Sequence, residues 1–226
     1  MNISYLILVG AIALVGFLVQ NQMTSRFRKY GQIPLNSGMT GYQVAMAMLN
    51  HYGIHDVSIV QGEGFLTDHY NPSTKTVKLS PEVYNGRSIA AASVAAHECG
   101  HVVQHATNYT MLTFRNAIVP VVKVAAVAQQ WGFLAAMLFL GSFPQLLLIV
   151  IVAMMITTLF SLITLPVEFD ASRRALVWLD ETGTTRGTEY EFAKDSLKWA
   201  AMTYLVAALA SVAMLVYFIL SYLGRR

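Results

Sequence analysis

The sequence predicts a mainly α-helical integral membrane protein, with four transmembrane helices and a small α+β unit on one side of the membrane. Hydrophobic residues make up 55% of the 226 residues and charged residues only 12%, and the mean hydropathy is +0.51. Few soluble domains of this size have such a composition. The apolar residues concentrate in four runs, each long enough to span a bilayer: 3–20, 117–140, 145–165 and 200–222.

These apolar runs divide the chain into five regions. The first run has no basic segment before it and no cleavage site after it, so we interpret it as a retained anchor. The second and third runs are separated only by Gly-Ser-Phe-Pro at 141–144, which is typical of a membrane hairpin. The predicted regions are the anchor 1–22, a polar region with the candidate site 23–116, the hairpin 117–166, a second polar region 167–199, and a final span 200–226.

The polar region 23–116 has the local signals of a small α+β unit. Thr40 can cap a helix that runs to about Tyr52, with Gly53 ending it. Two β-compatible runs follow at 57–61 and 76–79, and Asn-Pro-Ser at 71–73 predicts a turn before the second run. Such a sheet could accept an extended peptide as an added strand.

A helix-compatible segment at 87–107 contains the pattern His-Glu-x-x-His, formed by His97, Glu98 and His101. On an α-helix these two histidines lie about 40° apart around the axis and one turn apart along it, so both imidazoles can reach one cation. Glu98 is rotated away from the pair. It can therefore act as a general base toward a zinc-bound water without being a ligand itself.

A zinc site with two histidines and one open position needs a third protein ligand. Glu168 is the predicted ligand, because on a helix it shares a face with Ala171, Ser172 and Ala175, and these small side chains allow close approach to the zinc-binding helix. Asp170 is the alternative, although it is rotated about 160° from that small face.

Other potential ligands fit the pattern less well. His105 lies about 12 Å beyond His97 along the helix axis, too far to bind the same ion. The longer three-histidine pattern would need Gly and His where this chain has Gln104 and Thr107. Cys99 is the only cysteine, and its position indicates packing. The remaining histidines are interpreted as polar surface or loop residues: His51, His55 and His69.

The C-terminal third has two further boundary signals. Pro166 is expected to end the third span, so that Glu168 lies near the start of a new helix. The segment 183–187 reads as a turn, and Thr188 with Glu191 forms a capping box for a helix over 189–222.

The distribution of positive charge predicts the orientation. Four spans place 21–116 and 167–199 on one side, and these two segments contain 12 of the 15 Lys and Arg residues. The positive-inside tendency then makes this side cytoplasmic and the protein an integral component of the cell membrane, although the terminal Arg225 and Arg226 oppose it mildly. The net charge of +3 is not clustered, so no nucleic-acid partner is expected.

The segments 95–105 and 166–175, separated by the membrane hairpin, resemble those of the YugP-like neutral zinc metallopeptidases of bacterial membranes and, more distantly, of HtpX-like membrane endopeptidases. This resemblance implies a zinc peptidase with His97, His101 and Glu168 as ligands and Glu98 as the catalytic residue. The chain departs from the HtpX-like pattern at Ser172, where those proteins have Asp, so a supporting carboxylate is not assured there.

The leading hypothesis is therefore a gluzincin-like endopeptidase with one Zn²⁺ per chain and a peptide or protein substrate, membrane proteins included. Candidates for contacting the substrate or its oxyanion are His105, Tyr109, Arg173 and Arg174, which the sequence cannot rank. Two alternatives remain open: an intramembrane zinc protease, and a non-catalytic zinc-binding membrane protein such as a sensor or transporter component. The oligomeric state is not predicted.

Overall fold

The computed structural model describes residues 3–139 and 145–224, without the side chains of 136, 137 and 139. Seven helices and one small sheet make up this part of the chain. The helices are α1 Ile3–Gly31, α2 Gly41–His51, α3 Pro81–Tyr84, α4 Ile89–Ala106, α5 Thr110–Phe139, α6 Gln145–Glu181 and α7 Thr188–Leu223. The strands are β1 Ser58–Gln61, β2 His69–Asn71 and β3 Thr76–Leu79.

Four of these helices, α1, α5, α6 and α7, are long and apolar enough to cross a membrane. This confirms the predicted mainly helical architecture with four apolar spans and a small sheet. The predicted break of the hairpin at 141–144 lies outside the described residues. Helix α4, which contains the His-Glu-x-x-His pattern, is not one of the four candidate spans in the described chain.

Helix α1 extends well beyond the apolar run that predicted it. It ends at Gly31 and not near residue 20, because its last turns bury Phe27 and Tyr30 in the core of the polar region. The hydroxyl of Tyr30 donates a hydrogen bond to Asp195 on α7 at 2.6 Å, and Arg26 forms an ion pair with the same carboxylate at 3.0 Å. The anchor is thus joined to α7 by side chains outside the apolar run.

Helix α2 follows its prediction closely. Thr40 accepts a hydrogen bond from the backbone of Gln43, and the Gln43 side chain accepts one from the backbone of Thr40, so both ends of a capping box are present. Gly53 follows the helix with φ of +67°, a conformation that glycine adopts without a steric penalty. The face predicted to be apolar is buried: Val44, Ala45, Met48 and Leu49.

The sheet has the order β1-β3-β2, with β1 parallel and β2 antiparallel to the central strand β3. The two β-compatible runs correspond to β1 and β3, and Val77 and Leu79 of β3 are fully buried. Asn71 accepts hydrogen bonds from the backbone of Ser73 and Thr74, which forms the predicted turn. Strand β2 was not predicted, and it places His69 on an edge strand instead of in a loop.

Helix α4 lies at the centre of the polar region. It packs against α2, α6, α7 and the sheet, and most of its residues are buried. Ser88 caps its first turn by accepting a hydrogen bond from the backbone of Ala91. Gly100 brings α4 very close to α6, because a Cβ at this position would lie 2.5 Å from the carbonyl oxygen of Ala171.

Two predicted boundaries in the C-terminal third are wrong. Helix α6 does not end at Pro166 but continues for 15 residues to Glu181, because Ile163 and Val167 on either side of the proline are buried against neighbouring elements. Packing of this kind tolerates the one helical hydrogen bond that proline removes. Thr188 does not cap α7 either: Gly187 is the cap residue and makes no side-chain hydrogen bond there.

Candidate metal centre

Two helices bring three potential ligands together. The Nε2 atoms of His97 and His101 on α4 lie 3.4 Å and 3.5 Å from Oε2 of Glu168 on α6. Each residue offers a ligand atom within 4.8 Å of the others. Two ligands of a tetrahedral zinc ion with bonds of about 2.0–2.1 Å lie about 3.3–3.4 Å apart, so these separations suit a shared ion.

The state of Glu168 also fits a metal ligand. Its side chain is 4% exposed, and Oε2 has no hydrogen-bond partner among the described residues. A buried carboxylate oxygen without a partner is costly, whereas a coordinated cation would remove that cost. The donor set of two imidazoles and one carboxylate is the set that catalytic zinc sites use.

The far nitrogen of each histidine is held by a second residue. Nδ1 of His97 lies 3.1 Å from the hydroxyl of Ser172, and Nδ1 of His101 lies 3.0 Å from Oε1 of Gln104. Ser172 therefore occupies the position where a supporting carboxylate was in doubt, and supports His97 with a hydroxyl. Partners of this kind fix the orientation of a ligand ring.

The amide of Gln104 sets the tautomer of His101. Its Nε2 donates to the carbonyl oxygen of Val167 at 2.7 Å and to Oδ2 of Asp170 at 2.9 Å, so its oxygen must be the atom that faces His101. An amide oxygen only accepts, and Nδ1 of His101 therefore carries the proton. Nε2 of His101 is left with a lone pair directed at the ligand cluster.

Asp170, the alternative third ligand, has another role. Its carboxylate accepts hydrogen bonds from Arg173 at 2.7 Å, from Arg174 at 2.5 Å and from Gln104. It does not belong to the cluster of metal-ligand atoms in the described residues. Asp170 instead orients Gln104, and through Gln104 it orients His101.

Glu98 lies beside the three ligands without joining them. It is 8% exposed and lines a cavity of about 130 Å³ together with His97, His101 and Glu168. Burial raises the pKa of Glu98 above its ordinary value, although the two neighbouring histidines oppose this change. The carboxyl group of Glu98 therefore faces the same cavity as the three potential ligands.

Strand β2 forms one wall of this cavity. Asp68, His69 and Tyr70 line it, and the Tyr70 hydroxyl lies 2.7 Å from Nδ1 of His105 on α4. Asp68 accepts hydrogen bonds from the backbone and hydroxyl of Ser80, which holds the start of β2 in place. Since β2 pairs only with β3 in the described residues, it is an edge strand of the sheet.

The four residues proposed to contact substrate do not line this cavity. His105 is bonded to Tyr70, and Arg173 and Arg174 are bonded to Asp170. Tyr109 lies under the guanidinium of Arg174, with 5.7 Å between that group and the ring centroid. Each of these side chains contacts a neighbouring residue, and the cavity is lined by other residues.

Polar residues in the cavity wall that sequence reasoning missed include Arg115 on α5 and Tyr204 on α7. Nη2 of Arg115 lies 4.0 Å from Oε1 of Glu168. Arg115 immediately precedes an apolar run and Tyr204 lies within one, and neither belongs to a recognisable motif. Only the assembly of α5, α6 and α7 around Glu168 brings them to the site.

Cys99 has no part in the cluster. Its side chain is fully buried, and its thiol lies 3.6 Å from the carbonyl oxygen of Ala45 on α2. Burial raises the pKa of the thiol, so the thiolate that binds metals is disfavoured. This agrees with its interpretation as a packing residue.

The fold and the site together define a helical membrane protein with a His-His-Glu cluster whose geometry suits a metal ion. Comparison with known proteins specifies the class. Residues 5–223 match the family described as "Putative neutral zinc metallopeptidase". The chain is also 41% identical over 218 residues to the "Putative membrane protease YugP" of Bacillus subtilis, a match that covers 96% of each chain.

The chain therefore belongs to this YugP-like family of membrane zinc metallopeptidases. No solved structure matches it.

The hydrogen bonds of Gln104 generate a prediction about metal affinity. In Gln104→Leu the acceptor for Nδ1 of His101 is lost and Asp170 loses a donor, so we expect zinc affinity to fall by about 10- to 100-fold. Competition with a fluorescent zinc chelator measures this. His105→Ala is the matched control, one residue along the same helix, and should bind zinc as the unmodified protein does. Equal affinity in both variants would contradict the role given to Gln104.

Proposed function

We propose that this chain is a membrane-bound zinc endopeptidase in which His97, His101 and Glu168 hold the metal and Glu98 is the general base. The observation that carries the proposal is the open ligand cluster: three ligand atoms face one cavity whose wall includes a free carboxylate. When bound, zinc makes a water molecule more acidic and polarises the scissile carbonyl group. The glutamate ligand makes the site gluzincin-like.

Glu98 has the position that a general base requires. It precedes Cys99 and Gly100 on the same turn as the two histidines, and its side chain faces the cavity that they line. In the proposed reaction its carboxylate takes the proton of the attacking water and later delivers it to the leaving amine. Because Glu98 is buried, this proton is exchanged away from bulk solvent.

The free edge of β2 supports a polypeptide substrate in extended conformation. An extended peptide that pairs with this edge would lie beside His97 and Glu98, with its backbone held by strand hydrogen bonds and not by its side chains. Binding of this kind does not require a free chain end, which favours endopeptidase action. The proposed substrate class is an unfolded or locally extended protein segment.

Tyr204 is the proposed donor to the oxyanion. Its side chain lines the cavity and carries a hydroxyl that interacts with Glu168, and the guanidinium of Arg115 also lies close to Glu168. A hydroxyl in this wall can donate to negative charge that develops on the scissile carbonyl oxygen. Tyr204 thereby replaces His105, Tyr109, Arg173 and Arg174 as the leading candidate.

The orientation is proposed from charge. The basic residues that follow the apolar run of α1 and those around the site lie on the side that contains the sheet, and the positive-inside tendency makes this side cytoplasmic.

Two variants test the catalytic assignment. Glu98→Gln should bind zinc normally but lose cleavage of an unfolded protein substrate by at least about 100-fold, because the base is gone and the ligands remain. His97→Ala should lose both zinc and cleavage. Zinc content is measured by atomic absorption, and cleavage by gel electrophoresis after reconstitution. Full cleavage by Glu98→Gln would sink the mechanism, because another group would then have to act as the base. Normal zinc content without cleavage by the unmodified protein would instead favour a non-catalytic zinc protein.

A conservative variant tests the oxyanion donor. Tyr204→Phe removes one hydroxyl from the cavity wall, and we expect kcat to fall by about 100- to 1,000-fold while zinc content stays unchanged. The control is Tyr109→Phe, which also loses a phenolic hydroxyl but lies outside the cavity. Similar kcat values for the two variants would remove Tyr204 from the mechanism.

Cysteine labelling tests the orientation. The native Cys99 is buried, so an introduced cysteine at an exposed position dominates the reaction with maleimide. In intact cells, a membrane-impermeant maleimide should label Asn2→Cys, which precedes the apolar run 3–20 in the sequence, but label Ser73→Cys only after permeabilisation. The opposite pattern would place the site outside the cytoplasm.

A further inference from the structure

The membrane part of the molecule contains a second cavity, of about 580 Å³, between α5 and α7. Both helices pack along α6, but they make no extended contact with each other in the described residues. We name this space the α5–α7 cleft. It is defined by Ala126 and Gln130 of α5, Thr157 and Thr158 of α6, and Ser211 and Phe218 of α7.

The wall of the α5–α7 cleft is mainly apolar, but it includes polar side chains that lipid cannot satisfy. Gln129 accepts a hydrogen bond from Thr157 at 3.0 Å, and Thr158 donates to the carbonyl oxygen of Ser211 at 3.4 Å. The amide of Gln130 is exposed and has no hydrogen-bond partner among the residues that the structure describes. Acyl chains offer neither donor nor acceptor, so an amide facing them is left unsatisfied.

The cleft and the metal centre lie along the same three helices. The wall of the metal cavity includes Asn116 of α5, Glu168 of α6 and Tyr204 of α7, and the cleft begins about two to three turns further along each helix. Counting 1.5 Å per residue, Ser211 lies about 10 Å from Tyr204 and Thr158 about 15 Å from Glu168. The cleft therefore lies within about half the thickness of the hydrocarbon core from the site.

One face of α5 carries polar residues at both cavities. Asn116, Lys123 and Gln130 follow one another at seven-residue spacing, and each step rotates by only about 20° around the helix. Asn116 lines the metal cavity and Gln130 lines the cleft. Three polar side chains thus lie near one rotational position of α5, the first at the metal cavity and the last in the cleft.

We propose that the α5–α7 cleft binds a transmembrane helix of a membrane-protein substrate and delivers its membrane-proximal segment to the metal centre. This substrate class rests on the proposed peptidase function. A helix with a polar side chain in its span can satisfy the amide of Gln130, which an acyl chain cannot. From the cleft, a chain that unwinds covers about 15 Å in roughly five extended residues, so cleavage falls just outside the span.

The experiment uses the full-length enzyme in proteoliposomes with three reporters that share one unfolded segment. In two of them a transmembrane helix precedes the segment, with either Asn or Leu at the centre of the span, and the third lacks a helix. We expect the Asn reporter to be cleaved with a kcat/KM about threefold above the Leu reporter. In Gln130→Leu this difference should disappear, while cleavage of the helix-free reporter is unchanged.

A bulkier variant tests occupancy of the cleft. Ala126→Phe fills the space and should lower kcat/KM for both anchored reporters by roughly tenfold. Val124→Phe, whose side chain is exposed on α5 outside the cleft, is the control and should leave kcat/KM unchanged. Zinc content and cleavage of the helix-free reporter show whether each variant is folded. Equal losses on all three reporters, or none, would overturn the proposal.

Crosslinking tests binding without catalysis. In the Glu98→Gln background, a benzophenone amino acid at Gln130 should form an adduct with the anchored reporters, whereas the same group at Trp131, exposed one residue away, should not. Adducts only to lipid, or only to a second copy of the chain, would refute the cleft as a substrate site. If no reporter is cleaved by the unmodified enzyme but the adduct forms at Gln130, the peptidase assignment fails and the docking site stands.

Discussion

The close contact of α4 with α6 is the constraint on which the metal centre depends. Gly100 lies against the backbone of Ala171, closer than any residue with a Cβ could approach without displacement. This contact lies one residue before His101 and three residues after Glu168. The histidine pair and the carboxylate therefore share one cavity only because α4 and α6, which α5 separates in the sequence, meet at a glycine and an alanine.

The donors and acceptors of the hydrogen-bond chain that ends at His101 are all determined. Arg173 and Arg174 keep Asp170 charged, Asp170 and the carbonyl oxygen of Val167 orient the amide of Gln104, and the amide oxygen holds the proton of His101 on Nδ1. Because the carboxylate of Asp170 only accepts, the NH₂ group of Gln104 must face it, and the oxygen of Gln104 must then accept the proton of His101. A buried network with one arrangement selects one tautomer, so the ligand atom is oriented before a metal arrives.

The sequence predicted those parts of the molecule that have a local signature. The spans, the capped helix at Thr40 and the His-Glu-x-x-His segment have clear periodicity or composition. Strand β2 was missed because three residues give too short a pattern, and it forms only by pairing with β3. Pro166 misled the prediction because helix propensity is a local quantity, whereas packing on both sides of α6 decides that the helix continues.

For the site too, the sequence predicted only the residues that have a local signature. The histidine pair is local, and Glu168 followed from the small residues on its helical face. Arg115 and Tyr204 have no local signal, because their position in the cavity wall depends on how three long helices are arranged. The same reason applies to Gln104, which was considered only as a missing glycine and supports His101 instead.

The length of α6 connects the two halves of the molecule. Its 37 residues correspond to about 55 Å, well beyond the thickness of the hydrocarbon core, so one rigid helix carries Glu168 at the metal centre and Thr157 and Thr158 in the α5–α7 cleft. If the helix ended at Pro166, a flexible segment would join Glu168 to the part of α6 that lines the cleft. Because it is continuous, a segment bound in the cleft is held at a fixed distance from the ligands. Because α6 stays helical through Pro166, the distance between Glu168 and the cleft residues in the membrane is fixed.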